Sequence, residues 1–347
     1  MASEQPRSGY ATGLPAAAAG TVTLGGDLVV NRLGYGAMRL PGPGVWGEPA
    51  DPDNARAVLR RAVALGVTLI DTAGYYGPSV ADRLIAEALH PYPPDLVIAT
   101  KVGARRGDDR SWQSDARPES LRAAVEDDLR RLRLERLDLV HFRHMEGSTI
   151  PLAESVGALA RLRDEGEIRH VGVSNVDAAQ LVEARRIVPI ASVQNLYNLS
   201  DRHAQDLLDI CTRDGIVFMP YVPLAIGALG QGDGPPADLA GRYHVTPAQV
   251  ALAWLLACSP MMVPIPGTSS LAHLEENIAA AALQLADEDM PVSRARATAQ
   301  WLVLAHPASI GFPRAGIGCA LVAARYVVRF VERTNATSSS YNMTVAY

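Results

Sequence analysis

Asp71, Tyr76, Lys101 and Arg143 are the residues whose types and spacing can do chemistry. Asp71 closes the apolar run Leu69-Ile-Asp71, and Tyr76 follows five residues later. Lys101 closes Ala99-Thr-Lys101, and Arg143 closes Leu137-Asp-Leu-Val-His-Phe-Arg143. If these runs are neighbouring strands, one rim collects a carboxylate, a phenol, an ammonium and a guanidinium. Carbonyl reduction needs such a set: as hydride adds to carbon, an acid must protonate the developing alkoxide. An ammonium beside a phenol favours the phenolate and so eases release of the phenol's proton. A carboxylate beside the ammonium holds it in place and keeps it charged. Each residue taken singly has a plainer reading, with Asp71–Lys101 a structural ion pair and Tyr76 packed under a loop.

The elements that must position these groups are readable from about residue 28 to 285. A short β-branched run, an amphipathic stretch and a Gly or Pro break recur there. The strand candidates are Arg32–Met38, Thr68–Ala73, Leu96–Lys101, Leu137–Phe142, Ile168–Ser174, Ser192–Leu196, Ile216–Tyr221 and Met261–Ile265. Eight such runs with helices between them predict parallel βαβ units. Asn54–Leu65 places Ala55, Val58, Leu59 and Ala62 at helical spacing before Gly66, a C-cap. Ser120–Leu132 places Leu121, Val125, Leu129 and Leu132 on one face, and Thr246 is an N-cap for Pro247–Leu256. An open doubly wound sheet would carry a glycine fingerprint running into its first helix. Gly34-Tyr-Gly36 leads instead to Arg39 and Pro41. The prediction is therefore an α/β fold, a (β/α)8 TIM barrel, with its chemistry at the C-terminal strand ends. Val22–Leu24 and Leu28–Val30 flank Gly25-Gly26-Asp27 and predict an N-terminal β-hairpin across the barrel floor.

Several ordered motifs give the chain a resemblance to the aldo-keto reductases over about residues 28 to 290. They are Asp71-Thr-Ala-x-x-Tyr76-Gly77, Lys101, Gly172-Val-Ser-Asn175, Gln194-Asn195, Tyr221-x-Pro-Leu224 and Ile265-Pro-Gly-Thr-Ser-Ser270 with Asn277. The resemblance implies a soluble enzyme that reduces an aldehyde or ketone with NADPH, or with NADH, and needs no metal. Asp71, Tyr76 and Lys101 match three members of that family's catalytic tetrad, with Tyr76 as proton donor. The fourth is usually a His five residues after the Asp of strand four. Counted from Asp138, that position holds Arg143, which resembles the pyridoxal reductase-like branch. Arginine stays protonated and cannot be a neutral acid or base, but it can grip a carboxylate, phosphate or carbonyl oxygen. It can equally be a structural replacement. Strand alternation puts His141 on the same face, deeper in the barrel.

The same resemblance implies a cofactor set. Gly36 and Met38 end strand one. Ser174, Asn175 and Gln194 would read the nicotinamide carboxamide, and Tyr221 would stack on its ring, followed by Pro223 and Leu224. Gly267, Thr268, Ser269, Ser270 and His273 would cradle phosphate at a helix start. Glu276 and Asn277 would face the adenine. Strongly basic relatives have Lys in place of Gly267 and Arg in place of His273, so the charge that would favour a 2′-phosphate is reduced. Trp46, in the Pro41–Pro49 loop, and Tyr75 and His141 are candidates for substrate contact. Two other functions fit the same residues: a cofactor-binding regulatory barrel with little turnover, and a non-redox elimination.

The composition, 48% hydrophobic and 20% charged over 347 residues, is that of a globular chain with a large core. A net charge of −5 without a long basic run argues against nucleic acid. Cys211, Cys258 and Cys319 form no CxxC pattern and read as reduced thiols, consistent with a cytoplasmic setting. No run is long and uncharged enough to span a bilayer. The expected organisation is a disordered N-terminus over residues 1–20, a barrel over 21–290 and a tail over 291–347 that matches nothing in the family. The partner is a small carbonyl compound, and the sequence leaves the oligomeric state open.

Overall fold

The structure, a computed structural model, describes residues 13–225 and 235–290. Seven parallel strands form one sheet ordered β11-β10-β9-β8-β5-β4-β3. In chain order these are β3 (Tyr35–Gly36), β4 (Leu69–Asp71), β5 (Val97–Val102), β8 (Leu137–Arg143), β9 (Ile168–Ser174), β10 (Ile190–Gln194) and β11 (Val217–Phe218). The helices between them are α1 (Pro52–Ala64), α2 (Val80–Leu89), α3 (Pro118–Leu132), α4 (Leu152–Glu165), α5 (Ala178–Arg185) and α6 (Gln205–Asp214). After β11 come α7 (Pro235–Tyr243), α8 (Pro247–Cys258) and α9 (Leu271–Ala279). The expected caps are present: Thr246 and Gln249 close a capping box on α8, and Gly66, at φ +92°, follows α1.

Strand alternation divides the core. Leu69, Val97, Leu139, Val217 and Val263 cluster with Val22, Leu24, Leu28 and Val30. Those last four lie on the antiparallel pair β1 (Thr21–Leu24) and β2 (Leu28–Asn31), so the predicted hairpin caps one side of the sheet. Ile70, Ile98, Val140, Phe142 and Val173 pack with the helices on the other side. Each fully buried side chain of this size contributes roughly 1.5–3 kcal/mol.

Three expectations change. The first strand is only Tyr35–Gly36, and Ala37–Arg39 winds into a 3₁₀ turn. The eighth run is not a strand of the sheet. Segment 261–266 is held at both edges, through Phe218 N→Met261 O at 2.9 Å, Val263 N→Phe218 O at 2.9 Å, Gly34 N→Pro264 O at 3.0 Å and Gly36 N→Pro266 O at 3.2 Å. Pro264 and Pro266 lack N–H groups, which interrupts a regular ladder. Within the N-terminus expected to be disordered, Pro15–Ala19 forms a 3₁₀ turn with Ala16 wholly buried, and Ala16 N donates to Leu65 O at 3.0 Å. Residues 1–12 and the tail 291–347 lie outside the described residues. Among the described residues no helix is long and apolar enough to cross a membrane.

Candidate active site

The register steps the strand ends along one rim: Lys101 lies two residues beyond the partner of Asp71, and Arg143 two residues beyond the partner of Lys101. Gly36 pairs with Asp71, Asp71 with Ala99, Lys101 with His141, and Arg143 with Ser174. Lys101 and Asp71 are each buried, and Lys101 Nζ donates to Asp71 Oδ2 at 2.6 Å and to Thr72 O at 2.9 Å. Gln194 Nε2 donates to the other carboxylate oxygen, Oδ1, at 2.8 Å. A buried ion pair keeps its charges only when such extra hydrogen bonds satisfy it. Lys101 Nζ lies 4.9 Å from the centre of the Tyr76 ring, so the ammonium sits on the phenol. Tyr76 is fixed from both sides of the chain, its N–H donating to Ala73 O and its carbonyl accepting from Ala81 N.

Arg143 ends β8 at the same rim. Its guanidinium lies 4.9 Å from the Trp112 ring and 5.7 Å from the Tyr75 ring. Among the described residues no carboxylate lies within ion-pair distance of it. Burial pushes the Tyr75 phenol up to about 12, so this ring stays neutral, and its hydroxyl has no well-formed hydrogen-bond partner among the described residues. Tyr75 stands edge-on to both Tyr76 and Trp112, at 5.4 and 5.6 Å between ring centres.

Trp112 was invisible to the sequence reading. It lies on a small antiparallel hairpin, β6 (Ala104–Arg106) and β7 (Trp112–Ser114), inserted between β5 and α3. Strands of three residues are too short to show a period, and Gly107-Asp-Asp was the one turn signal. Arg106 on this hairpin sits 4.3 Å from the Trp112 ring and 5.3 Å from the Trp46 ring. It also donates to Val45 O at 3.0 Å, which ties the hairpin to the Pro41–Pro49 loop. That loop in turn bridges to the residue after Tyr76, with Gly47 N donating to Gly77 O at 2.7 Å. Trp46 and Tyr75, the candidates for substrate contact, are thus gathered beside the rim.

His141 is not. It is wholly closed to solvent, with Nε2 at 3.1 Å from Ser192 Oγ and its ring pressed on Gly172. Burial, with the Lys101 charge, pushes its pKa down to about 3, so it is a neutral core residue rather than a substrate contact. Alternation places it on the face of Arg143 and deeper in the barrel, and that depth is what closes it to a substrate.

Among the expected cofactor residues, Tyr221 Oη donates to Asn175 Oδ1 at 2.8 Å, which joins the ends of the β9 and β11 segments. Asn175 adopts a left-handed φ of +59°, a conformation asparagine tolerates. Ser174 and Gln194 are buried beside them, while Pro223 and Leu224 pack in the following turn. Ser270 caps α9 by accepting from His273 N at 3.3 Å, and Thr268 Oγ1 accepts from Ser270 N at 3.1 Å. Asn54 Nδ2 fixes Ser269 O at 2.7 Å. The helix start therefore offers hydroxyls and orphan N–H groups suited to phosphate. Gly36 and Gly267 serve close backbone approach: a Cβ on Gly36 would lie 2.6 Å from Ile265 O, and one on Gly267 2.5 Å from Gly36 O. Arg39 lies against Gly267, near the turn that carries Met38. Asn277 is buried, and His273 is exposed. Glu276, expected at the adenine, accepts from Thr246 Oγ1 at 2.6 Å and braces the start of α8. Among the described residues no His, Cys, Asp and Glu cluster could hold a metal ion.

The sequence profile of the aldo/keto reductase family matches residues 32–295. The chain is 48% identical over 273 residues to the pyridoxine 4-dehydrogenase of Escherichia coli (strain K12), covering 77% of this chain and 95% of that protein. It is 42% identical to an uncharacterised oxidoreductase of Schizosaccharomyces pombe, over 81% of this chain and 91% of that one. A crystal structure of an aldo-keto reductase from Klebsiella pneumoniae in complex with NADPH superposes with a TM-score of 0.68 at 30% identity. That match covers 79% of this chain and 93% of the other.

Proposed function

The chain belongs to the aldo/keto reductase family, and from that premise we propose that Tyr76 donates the proton in an NADPH-dependent reduction of an aldehyde to an alcohol. The observation that carries this is the buried Lys101–Asp71 pair at 2.6 Å, with Nζ 4.9 Å from the Tyr76 ring. Lys101 stabilises the phenolate that forms as the proton leaves Tyr76. Asp71, held by Gln194, fixes the Lys101 ammonium in place. NADPH, when bound, supplies the hydride. The architecture is a (β/α)8 barrel in which segment 261–266 takes the place of the eighth strand; its hydrogen bonds to both sheet edges support this.

The residues present fit the cofactor. Tyr221 and Asn175 form one hydrogen-bonded unit at the strand ends, where a nicotinamide needs a ring face and amide partners. The capped start of α9 and the neighbouring Arg39 supply N–H groups and a cation for phosphates. The Klebsiella protein solved with NADPH supports the same choice.

For the substrate, the relative named pyridoxine 4-dehydrogenase makes pyridoxal the first aldehyde to try. Its ring suits the aromatic wall of Tyr75, Trp112 and Trp46, and its phenolic oxygen, ortho to the aldehyde, suits Arg143. Tyr76→Phe keeps the ring under Lys101 and removes only the proton. Turnover of pyridoxal should fall by about 10²–10⁴-fold, with NADPH affinity by fluorescence titration nearly unchanged. Wild-type turnover in this variant ends the assignment.

A further inference from the structure

Behind the active-site rim, in the layer between the sheet and the helices, two acids closed to solvent stand side by side. Asp82 in the first turn of α2 and Asp128 in α3 are 0% and 1% exposed. Asp128 occupies the core stripe of its helix with Leu121, Val125 and Leu132. Thr72 Oγ1 donates to Asp82 Oδ1 at 2.7 Å, and Thr100 Oγ1 donates to Asp128 Oδ2 at 2.7 Å. These threonines adjoin Asp71 and Lys101, and the Thr72 carbonyl itself accepts from Lys101 Nζ. Asp128 Oδ1 also supports the loop to Tyr76, since a Cβ on Gly74 would lie 2.5 Å from it.

With both acids ionised this arrangement does not balance. Asp82 Oδ2 finds no donor among the described residues, although the Asp128 carboxyl is within hydrogen-bonding reach. The cations that face the pair are already engaged: Lys101 by Asp71 at 2.6 Å, and Arg131 by Asp127 at 3.0 Å, with Arg131 Nη1 3.9 Å from Asp128. The other titratable neighbour is Tyr92, whose phenol burial pushes up and which donates to Leu132 O. Two carboxylates within hydrogen-bonding reach of each other and closed to solvent cannot both stay ionised.

We propose that Asp82 and Asp128 share one proton and, through Thr72 and Thr100, are positioning residues that hold Asp71, Lys101 and the Tyr76 loop in register. A carboxylic O–H placed between them gives Asp82 Oδ2 its missing partner and leaves a single negative charge for Arg131. Burial pushes Asp82 up to about 6 and Asp128 well above the ordinary carboxylate range, with the Asp82 charge adding to the latter. Both folded values lie above the unfolded value of about 3.9. The pair's contribution to stability is therefore complete below about pH 4 and is lost as pH rises through the folded values. The link to turnover rests on the roles given above to Lys101 and Tyr76, whereas the shared proton does not depend on them.

Infrared spectroscopy of the full-length protein at neutral pH should show the carbonyl stretch of a buried protonated carboxyl. Asp128→Asn and Asp82→Asn place an amide donor where the shared proton was. Each should abolish that band, flatten the fall of melting temperature with rising pH, and keep kcat within about threefold. Asp128→Leu leaves Asp82 Oδ2 and Thr100 Oγ1 without partners. Thr72→Val cuts the link and spares the pair, so it should keep the infrared band, bind NADPH normally and lose about tenfold in kcat. Absence of the band in the wild type, or an unchanged pH slope in both Asn variants, overturns the shared proton. Full kcat in both Thr72→Val and Asp128→Leu overturns the positioning role. Loss of turnover in Tyr76→Phe with the band intact would bear on the proton donor and not on this pair.

Discussion

Replacing Arg143 by Ala tests whether the guanidinium reads a charged oxygen on the substrate. It sits at the rim between Trp112 and Tyr75, and no carboxylate among the described residues neutralises it. A bound oxyanion would complete its hydrogen bonding. The 3-hydroxyl of pyridoxal ionises to such an oxygen next to the reacting aldehyde, whereas pyridine-4-carbaldehyde has the same ring and aldehyde without it. A hydrogen bond to a charged partner is worth roughly 1.5–3 kcal/mol. That predicts a loss in kcat/KM of about 10- to 150-fold for pyridoxal. The stacking contribution of Arg143 to its two rings, roughly 0.5–2 kcal/mol, is lost for both aldehydes and cancels in their ratio. Steady-state NADPH oxidation with the two aldehydes, wild type against variant, measures the ratio directly. Arg143→Lys should recover part of the pyridoxal rate, because charge returns without the planar fork. Arg143→His, the usual family residue, should move preference toward the neutral aldehyde. Equal losses on both aldehydes would refute the oxyanion argument and leave Arg143 as a structural support for the aromatic wall.

Lys101→Met should abolish turnover and destabilise the fold by about 3–5 kcal/mol, because Asp71 would stay buried with Gln194 as its remaining partner; an unchanged melting temperature counts against the ion pair as drawn. Arg106→Ala removes a cation stacked on Trp46 and Trp112 and the tie to Val45. KM for aromatic aldehydes should rise by about 2- to 30-fold for a loss of roughly 0.5–2 kcal/mol, with a smaller change for a short aliphatic aldehyde; equal changes on both would show a general loosening. His273→Arg adds a cation at the exposed first turn of α9. It should raise the NADPH-to-NADH preference by about two- to fivefold, the worth of an exposed charge pair of roughly 0.5–1 kcal/mol, and an unaltered ratio of dissociation constants would place the 2′-phosphate elsewhere.

The sheet and most helices were legible because their patterns are long and agree with their caps. Ile168–Ser174 is read to the residue, and the helix expected over Pro247–Leu256 is announced by Thr246 and runs to Cys258. Where the pattern failed, a local cause is visible. The first and eighth strands are interrupted by a 3₁₀ turn and by two prolines, which apolar runs do not reveal. On α3, helical spacing nominated Leu129, yet Asp128 is the wholly buried residue. A charged residue at a core position carries no signal of its own in one sequence; its partners, Thr100 and Asp82, are 28 and 46 residues away in the chain, as 128 − 100 and 128 − 82. Glu276 is placed at the adenine by the resemblance alone, and its hydrogen bond to Thr246, 30 residues away in the chain, carries no signal in one sequence.

The same alternation that defines the strands also divides the labour at their ends. Asp71, Lys101 and Arg143 share the face of Leu69, Ala99 and Leu139, so they project to the rim. Thr72 and Thr100, one residue away, meet the helices and their buried acids. A slip of one residue in β4 or β5 would exchange the two sets, putting threonines at the rim and the lysine among the acids. Register is therefore enforced by chemistry on both faces, and the reacting groups have little freedom to change. Freedom lies in the loop insertions instead. Trp46, Tyr75 and Trp112 come from three separate loops and are tied to one another mainly through Arg106 and Gly77. Substitutions on the inner face should alter whether the reaction proceeds, and substitutions of the outer-face acids should alter how stability responds to pH. Changes in the Pro41–Pro49 loop and the β6–β7 hairpin should decide which aldehyde enters.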